Sequence, residues 1–259
     1  MFNITPMVRN LLIINVVVFI LQDRLFPTGQ FALYHFGSEY FQPVQLFTHM
    51  FLHGGWGHLF SNMFSLFIFG PLLERFWGAN RFLVFYLICG LGASLLYSGV
   101  RAYELNELQE ETAIYMESPS PIAFNNYMSE HVGEGYLRQF ARSYQKNDDN
   151  PQYIETSKAE VAKVYETLFN VPLVGASGAV FAILMAFGLL FPNMELMLLF
   201  FPFPIKAKYF VLLYGAFELY SGFNRMPGDN VAHFAHLGGM LFAYILVKMW
   251  QRSDYQDNF

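Results

Sequence analysis

The sequence predicts an all-α polytopic membrane protein, and three observations lead there. Of 259 residues, 54% are hydrophobic and only 14% charged, with 30 Phe and 16 Tyr, a balance foreign to soluble globular chains. Apolar runs recur near 8–26, 58–73, 82–99, 173–191, 207–223 and 231–250. Each is close to the roughly 17–25 residues a helix needs to cross the hydrocarbon core, so six spans are expected. The bases of the short segments are also lopsided, and such bases set orientation. With the N-terminus inside, the inner segments hold Arg9, Arg75, Arg81, Lys206, Lys208, Lys248 and Arg252, against Arg24 and Arg225 outside. Both termini are therefore expected in the cytoplasm.

The first run has a single base before it, Arg9, and no small-x-small cleavage site after Leu25, so it reads as a retained helix rather than a secretory signal. Segment 27–57 is rich in Phe, Tyr and His but holds no Lys or Arg, which suits the outer membrane interface. The third run contains the lone cysteine, Cys89, so neither an internal disulfide nor a thiolate metal cluster is available. Segment 101–170 carries twelve of the twenty acidic residues and the polar stretch QKNDDNPQ, which excludes it from the bilayer. ELNELQEE and ETSKAEVAKVYETLF have the pattern of amphipathic helices. A small extracytoplasmic helical insert between helices 3 and 4 is expected, read as a solvated elaboration of the loop. PNMELMLLFFPFPIKAKY, interrupted by Pro192, Pro202 and Pro204, reads as a turn region before the fifth span. The chain thus divides into 1–100, 101–170 and 171–259. No repeat, nucleic-acid motif or phosphate-binding loop is present, so neither a nucleic-acid partner nor a cofactor is expected.

Three polar clusters interrupt the apolar runs. GASG at 175–178 places Ser177 among small residues, and the stripe Gly178, Ala182, Ala186 has the spacing of helix packing in membranes. Alone, it signals packing. His58 and Asn62 are four apart and share one helical face, and polar side chains inside spans are costly enough to be read as functional. His236 is followed by Gly239 and Ala243, a smooth stripe against which another helix comes close. Close approach is what a serine and its histidine base require, at about 2.6–3.2 Å. With spans two, four and six running inward, His58, Ser177 and His236 lie at one level near the outer face.

Together these motifs resemble those of the rhomboid intramembrane serine proteases, from Leu11 to Trp250 except the insert. GASG is similar to the family's GxSG, HLFSN at 58–62 to HxxxN, AHLGGMLFA at 235–243 to AHxxGxxxG, and GPLLERFWG at 70–78 to GxxxExxxG. The resemblance implies a six-transmembrane-helix rhomboid-like bundle with Ser177 as nucleophile and His236 as general base and then acid. His58, Asn62 and the Ser177 backbone N–H would hold the oxyanion, with Phe181 stacked on His236 and Gly175, Gly178 and Gly239 in support. No metal is implied. The substrates would be single-span membrane proteins within the lipid bilayer, cut near its outer face. The location implied is a bacterial inner membrane.

The sequence also departs from that pattern. Val44-Gln45 stands where many members carry Trp-Arg, Ala243 replaces the last glycine, and Phe181 stands where a relative has Tyr. Glu74 reads as structural, bonding backbone on the cytoplasmic side. Glu218, near the outer end of the fifth span, either orients His236 as a third triad member or, the favoured reading, makes an interfacial hydrogen bond, so a Ser-His dyad is expected. From Ser177 to Phe191 the helix spans about 22 Å, short of a core of about 30 Å. Ser177 should therefore sit below the outer surface in a watery cavity roofed by loops 27–56 and 224–230. His49 and His53 either sit at the water entrance or pack within the loop. Two rivals remain. One is a metal-dependent membrane hydrolase built on His49-x3-His53 and His233-x2-His236, for which no Asp is expected near the histidines. The other is a catalytically silent rhomboid-like binder, which loss of Ser177 or His236 would have marked.

Overall fold

The protein is described from a computed structural model covering residues 4–25, 27–133, 135, 137–198, 201–224, 229 and 231–256. Pro6, which needs no partner for its nitrogen, opens α1 (Pro6–Leu21). The free donors of that first turn are met by another helix, α4 (Trp56–Trp77). The Glu74 carboxylate accepts from Met7 N at 2.9 Å, Val8 N at 2.8 Å and the Thr5 hydroxyl. One turn earlier on α4, a Cβ on Gly70 would fall 2.8 Å from the Val8 side chain. Gly78, at φ +82°, ends α4 and opens α5 (Ala79–Glu117). The GPLLERFWG segment is therefore a device for docking α1: close approach, cap and turn at intervals of four residues. The backbone that Glu74 holds is the start of a helix rather than a loop.

Between α1 and α4 the chain makes two single helical turns, α2 (Thr28–Phe31) and α3 (Gln45–Thr48), the latter running into a 3-10 turn at His49–Phe51. Their anchor is Gln45, whose side chain is fully buried. Its amide nitrogen donates to Gln30 O at 3.1 Å and Tyr40 O at 2.8 Å, while its oxygen accepts from Gln42 N at 3.1 Å and Tyr34 N at 3.4 Å. Four bonds from one neutral amide hold this loop without a Trp-Arg pair. The loop also braces the chain entering α9 (Ser177–Leu190). Leu33 and Leu173 exchange backbone hydrogen bonds of 3.0 and 2.7 Å.

At 39 residues, α5 runs unbroken across the change from apolar to acidic composition near residue 100. Its second half joins α6 (Pro121–His131), α7 (Arg138–Lys146) and α8 (Pro151–Phe169) around a separate core of Leu105, Tyr115, Phe124, Tyr127, Tyr144 and Val161. Ser120 caps Ala123 N and Asn150 caps Gln152 N, each followed by proline in the first turn, so α6 and α8 start where local chemistry dictates. The Arg101 guanidinium binds Leu168 O, and Ser38 Oγ donates to Asn170 Oδ1 at 2.7 Å, closing this unit onto α5 and the interfacial loop.

The stretch after α9 is not merely a turn. β1 (Glu195–Leu198) and β2 (Phe201–Lys206) form an antiparallel ribbon with Glu195 opposite Lys206 and Leu196 opposite Ile205. Pro202 and Pro204 fall between Phe201 and Ile205, where the register of the ribbon is irregular. The six apolar runs fall on helices: α1, α4, α5, α9, α10 (Ala207–Phe223) and α11 (His233–Gln256). Among the described residues, only α5 is both long and apolar enough to cross a membrane on that criterion, with α1 and α9 apolar but shorter.

At the centre lies α9, against α4, α5, α10 and α11 and buried over nearly its whole surface. Outward-facing residues are large and apolar: Ile13, Val17 and Ile20 on α1, Leu212, Leu213 and Phe217 on α10, and Leu241, Ile245 and Met249 on α11. Apolar surface this extensive needs a nonaqueous neighbour. Polar groups such as Ser177, Asn62, Glu218 and His236 are inside.

Candidate active site

Ser177 is the first residue of α9, and the turn that delivers it depends on Gly175 at φ +126°. A Cβ at Gly175 would fall 2.6 Å from His58 Cε1 and 2.7 Å from His58 Nε2, so the His58 ring lies directly over this turn. Gly175 N donates to His49 O at 2.9 Å, fixing the turn from beneath. With no side-chain cap on α9, the backbone N–H groups of its first turn remain available, and the helix dipole favours negative charge beside them.

His236 sits in the first turn of α11. Its ring stacks on Phe181, one turn along α9 from Ser177, with centroids 4.0 Å apart and planes within 7°. The backbones set this meeting: a Cβ on Gly239 would fall 1.9 Å from Gly178 O. Only glycine at 239 permits that crossing, and the small residues of the GASG and AHLGGMLFA motifs therefore face one another.

Ser177, His236, His58, Asn62 and Phe181 all line one cavity of about 1420 Å³. Gly54 N donates to His58 Nδ1 at 3.4 Å, which leaves the ring proton on Nε2, the atom close to the Ser177 turn. Asn62 is 4% exposed, and its Nδ2 has no hydrogen-bond partner among the described residues. A buried amide donor without an acceptor is costly and calls for an explanation at the site itself. Two donors on one face of α4 thus border the turn that carries Ser177.

The cavity's boundary differs from the expected roof. Of loop 27–56, Gly54 reaches it among the described residues, and of 224–230 Asp229 does, with 225–228 and 230 outside the described residues. Much of the wall comes from the 101–170 segment, including Arg101, Glu104, Glu107, Glu111 and Lys163. The reason is the length of α5, which carries that segment over the opening instead of away from it. His49 and His53 do not line this cavity; they are 3% and 1% exposed. His49 Nδ1 donates to Gln45 O at 2.8 Å, while Gln22 brackets the His53 backbone at 2.8 and 3.1 Å. Both are packing residues, and the His53 ring meets His58 edge-on at 5.1 Å.

One group was undervalued at the sequence level. Glu218 Oε2 lies 2.8 Å from His236 Nδ1 and 2.7 Å from His233 Nδ1, and His233 Nε2 lies 3.0 Å from Asp229 Oδ2. The expectation that no Asp lies near these histidines is therefore wrong, because Asp229 meets His233. The usable signal was an acid in an apolar helix, together with Asp229 four residues before His233. Glu218, His233 and His236 are close enough together to be considered for a metal ion. However, both imidazoles make direct hydrogen bonds to one carboxylate oxygen, an arrangement of proton sharing rather than of nitrogens spread about 2.0–2.1 Å around an ion.

The Rhomboid domain family model matches residues 40–105 and 153–252, well over half of the chain, leaving 106–152 outside the match. Rhomboid-like protein 11, chloroplastic, of Arabidopsis thaliana is 36% identical over 89 residues, 33% of this chain and 30% of its own length. RHOMBOID-like protein 6, mitochondrial, of the same plant is 48% identical over 52 residues, 20% of this chain and 17% of its own length. The chain thus spans less than a third of each of these curated relatives. Their names point to plant organelles, so they lend nothing to a bacterial inner membrane. The four motifs, the helices that carry them and the extent of the domain match lead to one assignment: this chain is a membrane protein of the rhomboid family.

Proposed function

We propose that this protein is an intramembrane serine endopeptidase that cuts single-span membrane proteins near the outer membrane face. The observation that carries this reading is the convergence of Ser177, His236, His58 and Asn62 on one cavity wall at the start of a buried helix. In the proposed reaction His236 Nε2 takes the Ser177 hydroxyl proton as Oγ bonds the substrate carbonyl carbon. The carbonyl electrons pass to its oxygen, which His58 Nε2–H, Asn62 Nδ2 and the Ser177 backbone N–H stabilise. His236 then gives the proton to the leaving amine, and water from the cavity hydrolyses the acyl-enzyme by the same steps in reverse order. Neither cofactor nor metal takes part.

Six crossings by α1, α4, α5, α9, α10 and α11, with both termini inside, fit this reading and the distribution of bases in the short loops. At 14 residues α9 is about 21 Å long, so it need not reach the outer surface of a core about 30 Å thick. The segment 101–170 then lies outside, over the cavity mouth. The test uses a reporter protein with one transmembrane segment, incubated with purified enzyme in lipid vesicles. Ser177→Ala and His236→Ala are expected to abolish cleavage, and a metal chelator to leave it intact. Retained cleavage by Ser177→Ala refutes the reading. Loss on chelation points to the metal-dependent alternative, and no cleavage by the parent protein points to a rhomboid-like binder.

A further inference from the structure

We propose that Glu218 is a positioning residue for His236, making the working unit a triad of Ser177, His236 and Glu218 rather than a dyad. This inference rests on the protease reading above. Glu218 belongs to α10, which carries none of the four motifs, yet it is 3% exposed and directed at the motif histidine. An ionised carboxylate only accepts hydrogen bonds, so the 2.8 Å contact puts the ring proton of neutral His236 on Nδ1. Nε2 is left with its lone pair, the form that takes a proton from Ser177. Phe181 fixes the plane of the ring by stacking, and Glu218 fixes its rotation within that plane.

Glu218 itself neither gains nor loses a proton. Its charge stands beside the imidazolium that forms on His236 when Nε2 takes the Ser177 proton, and persists after that proton passes to the leaving amine. A buried carboxylate needs a partner in the resting state as well, and His233 supplies one. His233 Nδ1 meets Glu218 at 2.7 Å while Nε2 meets Asp229 at 3.0 Å. Each ring nitrogen of His233 thus faces a carboxylate oxygen. Glu218 is thereby held in place before substrate arrives. The competing reading makes Glu218 a tie between α10 and α11. The two differ in where the His236 proton resides and in which kinetic constant changes.

The experiment compares the full-length protein with Glu218→Gln and Glu218→Asp, reading reporter cleavage in vesicles, thermal unfolding, and the tautomer of His236 by nitrogen-15 histidine NMR of the resting protein. Expected for Glu218→Gln is a fall in kcat of about 10²-fold or more with little change in KM. The His236 proton should move from Nδ1 toward Nε2, and Glu218→Asp, which keeps the acceptor, should restore part of kcat. Unchanged kcat in folded Glu218→Gln overturns the proposal. So does a lower kcat with the parent tautomer, which is the signature of a tie. If Glu218→Gln does not fold, the parent spectrum decides: a proton on Nδ1 supports the proposal and one on Nε2 overturns it. A parent protein that cuts nothing, or a Ser177→Ala protein that still cuts, rejects protease chemistry instead, and the NMR then still reports whether Glu218 orients His236.

Discussion

Replacing Gly239 with alanine tests the contact that brings the histidine to the serine. The added Cβ would fall 1.9 Å from Gly178 O and 2.8 Å from Gly178 C, where real Cβ atoms essentially never approach within 3.0 Å. The obstacle is backbone, and Gly178 belongs to a helix enclosed by α4, α5, α10 and α11, so no side chain can swing away to make room. The helices must separate by about 1 Å, at a point one residue past Ser177 and three past His236. A displacement of about 1 Å in a reacting pair costs about 10²-fold in rate, and overpacking of this kind costs about 1–3 kcal/mol of stability. Reporter cleavage and thermal unfolding in detergent read the two effects separately. Gly99→Ala is the control, because a Cβ there meets nothing within 4 Å and alanine is the better helix former. Cleavage by Gly239→Ala within about twofold of the parent would refute the argument that this crossing sets the Ser177–His236 geometry.

Two further substitutions separate chemistry from architecture. Asn62→Ala removes a buried donor with no partner among the described residues, so kcat should fall by about 10²–10³-fold while the unfolding temperature holds or rises. A matching loss of stability would show Asn62 to be structural. Glu74→Gln weakens the cap on α1, where bonds to a charged acceptor are worth about 1.5–3 kcal/mol each, so the unfolding temperature should drop. Glu74 lies sixteen residues along α4 from His58, about 24 Å away, so kcat/KM of the folded fraction should be unchanged.

The residues legible in the sequence are those whose neighbours in space are neighbours on one helix. His58 and Asn62 share a face of α4, and His236 with Gly239 shares a face of α11, so helical spacing alone reports them. Glu218 was harder, because it meets His236 only after α10 ends, the chain crosses a loop and α11 turns back. Its sole local mark was an acid among apolar residues, which a surface hydrogen bond would have explained equally well. Gln45 was obscured differently: a neutral amide does not resemble a Trp-Arg pair, although one amide with two donors and an accepting oxygen ties the same loop. ELNELQEE and ETSKAEVAKVYETLF, visible as amphipathic segments, fall within α5 and α8, whereas α6 and α7 were not read from the sequence. That α5 continues through the composition change was not, since charge and amphipathicity are compatible with either a break or an unbroken helix. The cavity's far wall followed from that continuity.

The length of α9 and the chemistry at its start are linked by one physical requirement. A membrane helix whose first turn lies below the surface leaves backbone donors where lipid offers no acceptor. Long spans avoid this by ending in headgroups, whereas α9, with 14 residues and neighbours on all sides, ends among protein. Its free donors need either protein acceptors or water. Around Ser177 the chain supplies further donors instead, in His58 and the unpaired amide of Asn62. Donors facing donors are stable only where water or a developing anion occupies the space between them. The short helix therefore obliges a cavity; under the proposed protease reading that cavity admits the water hydrolysis would consume, and the surplus donors, met by water at rest, would bond an oxyanion as it forms. On this reading the resting state is left without protein acceptors at the one point where the transition state becomes complete, which is how a fixed scaffold favours the transition state over the substrate.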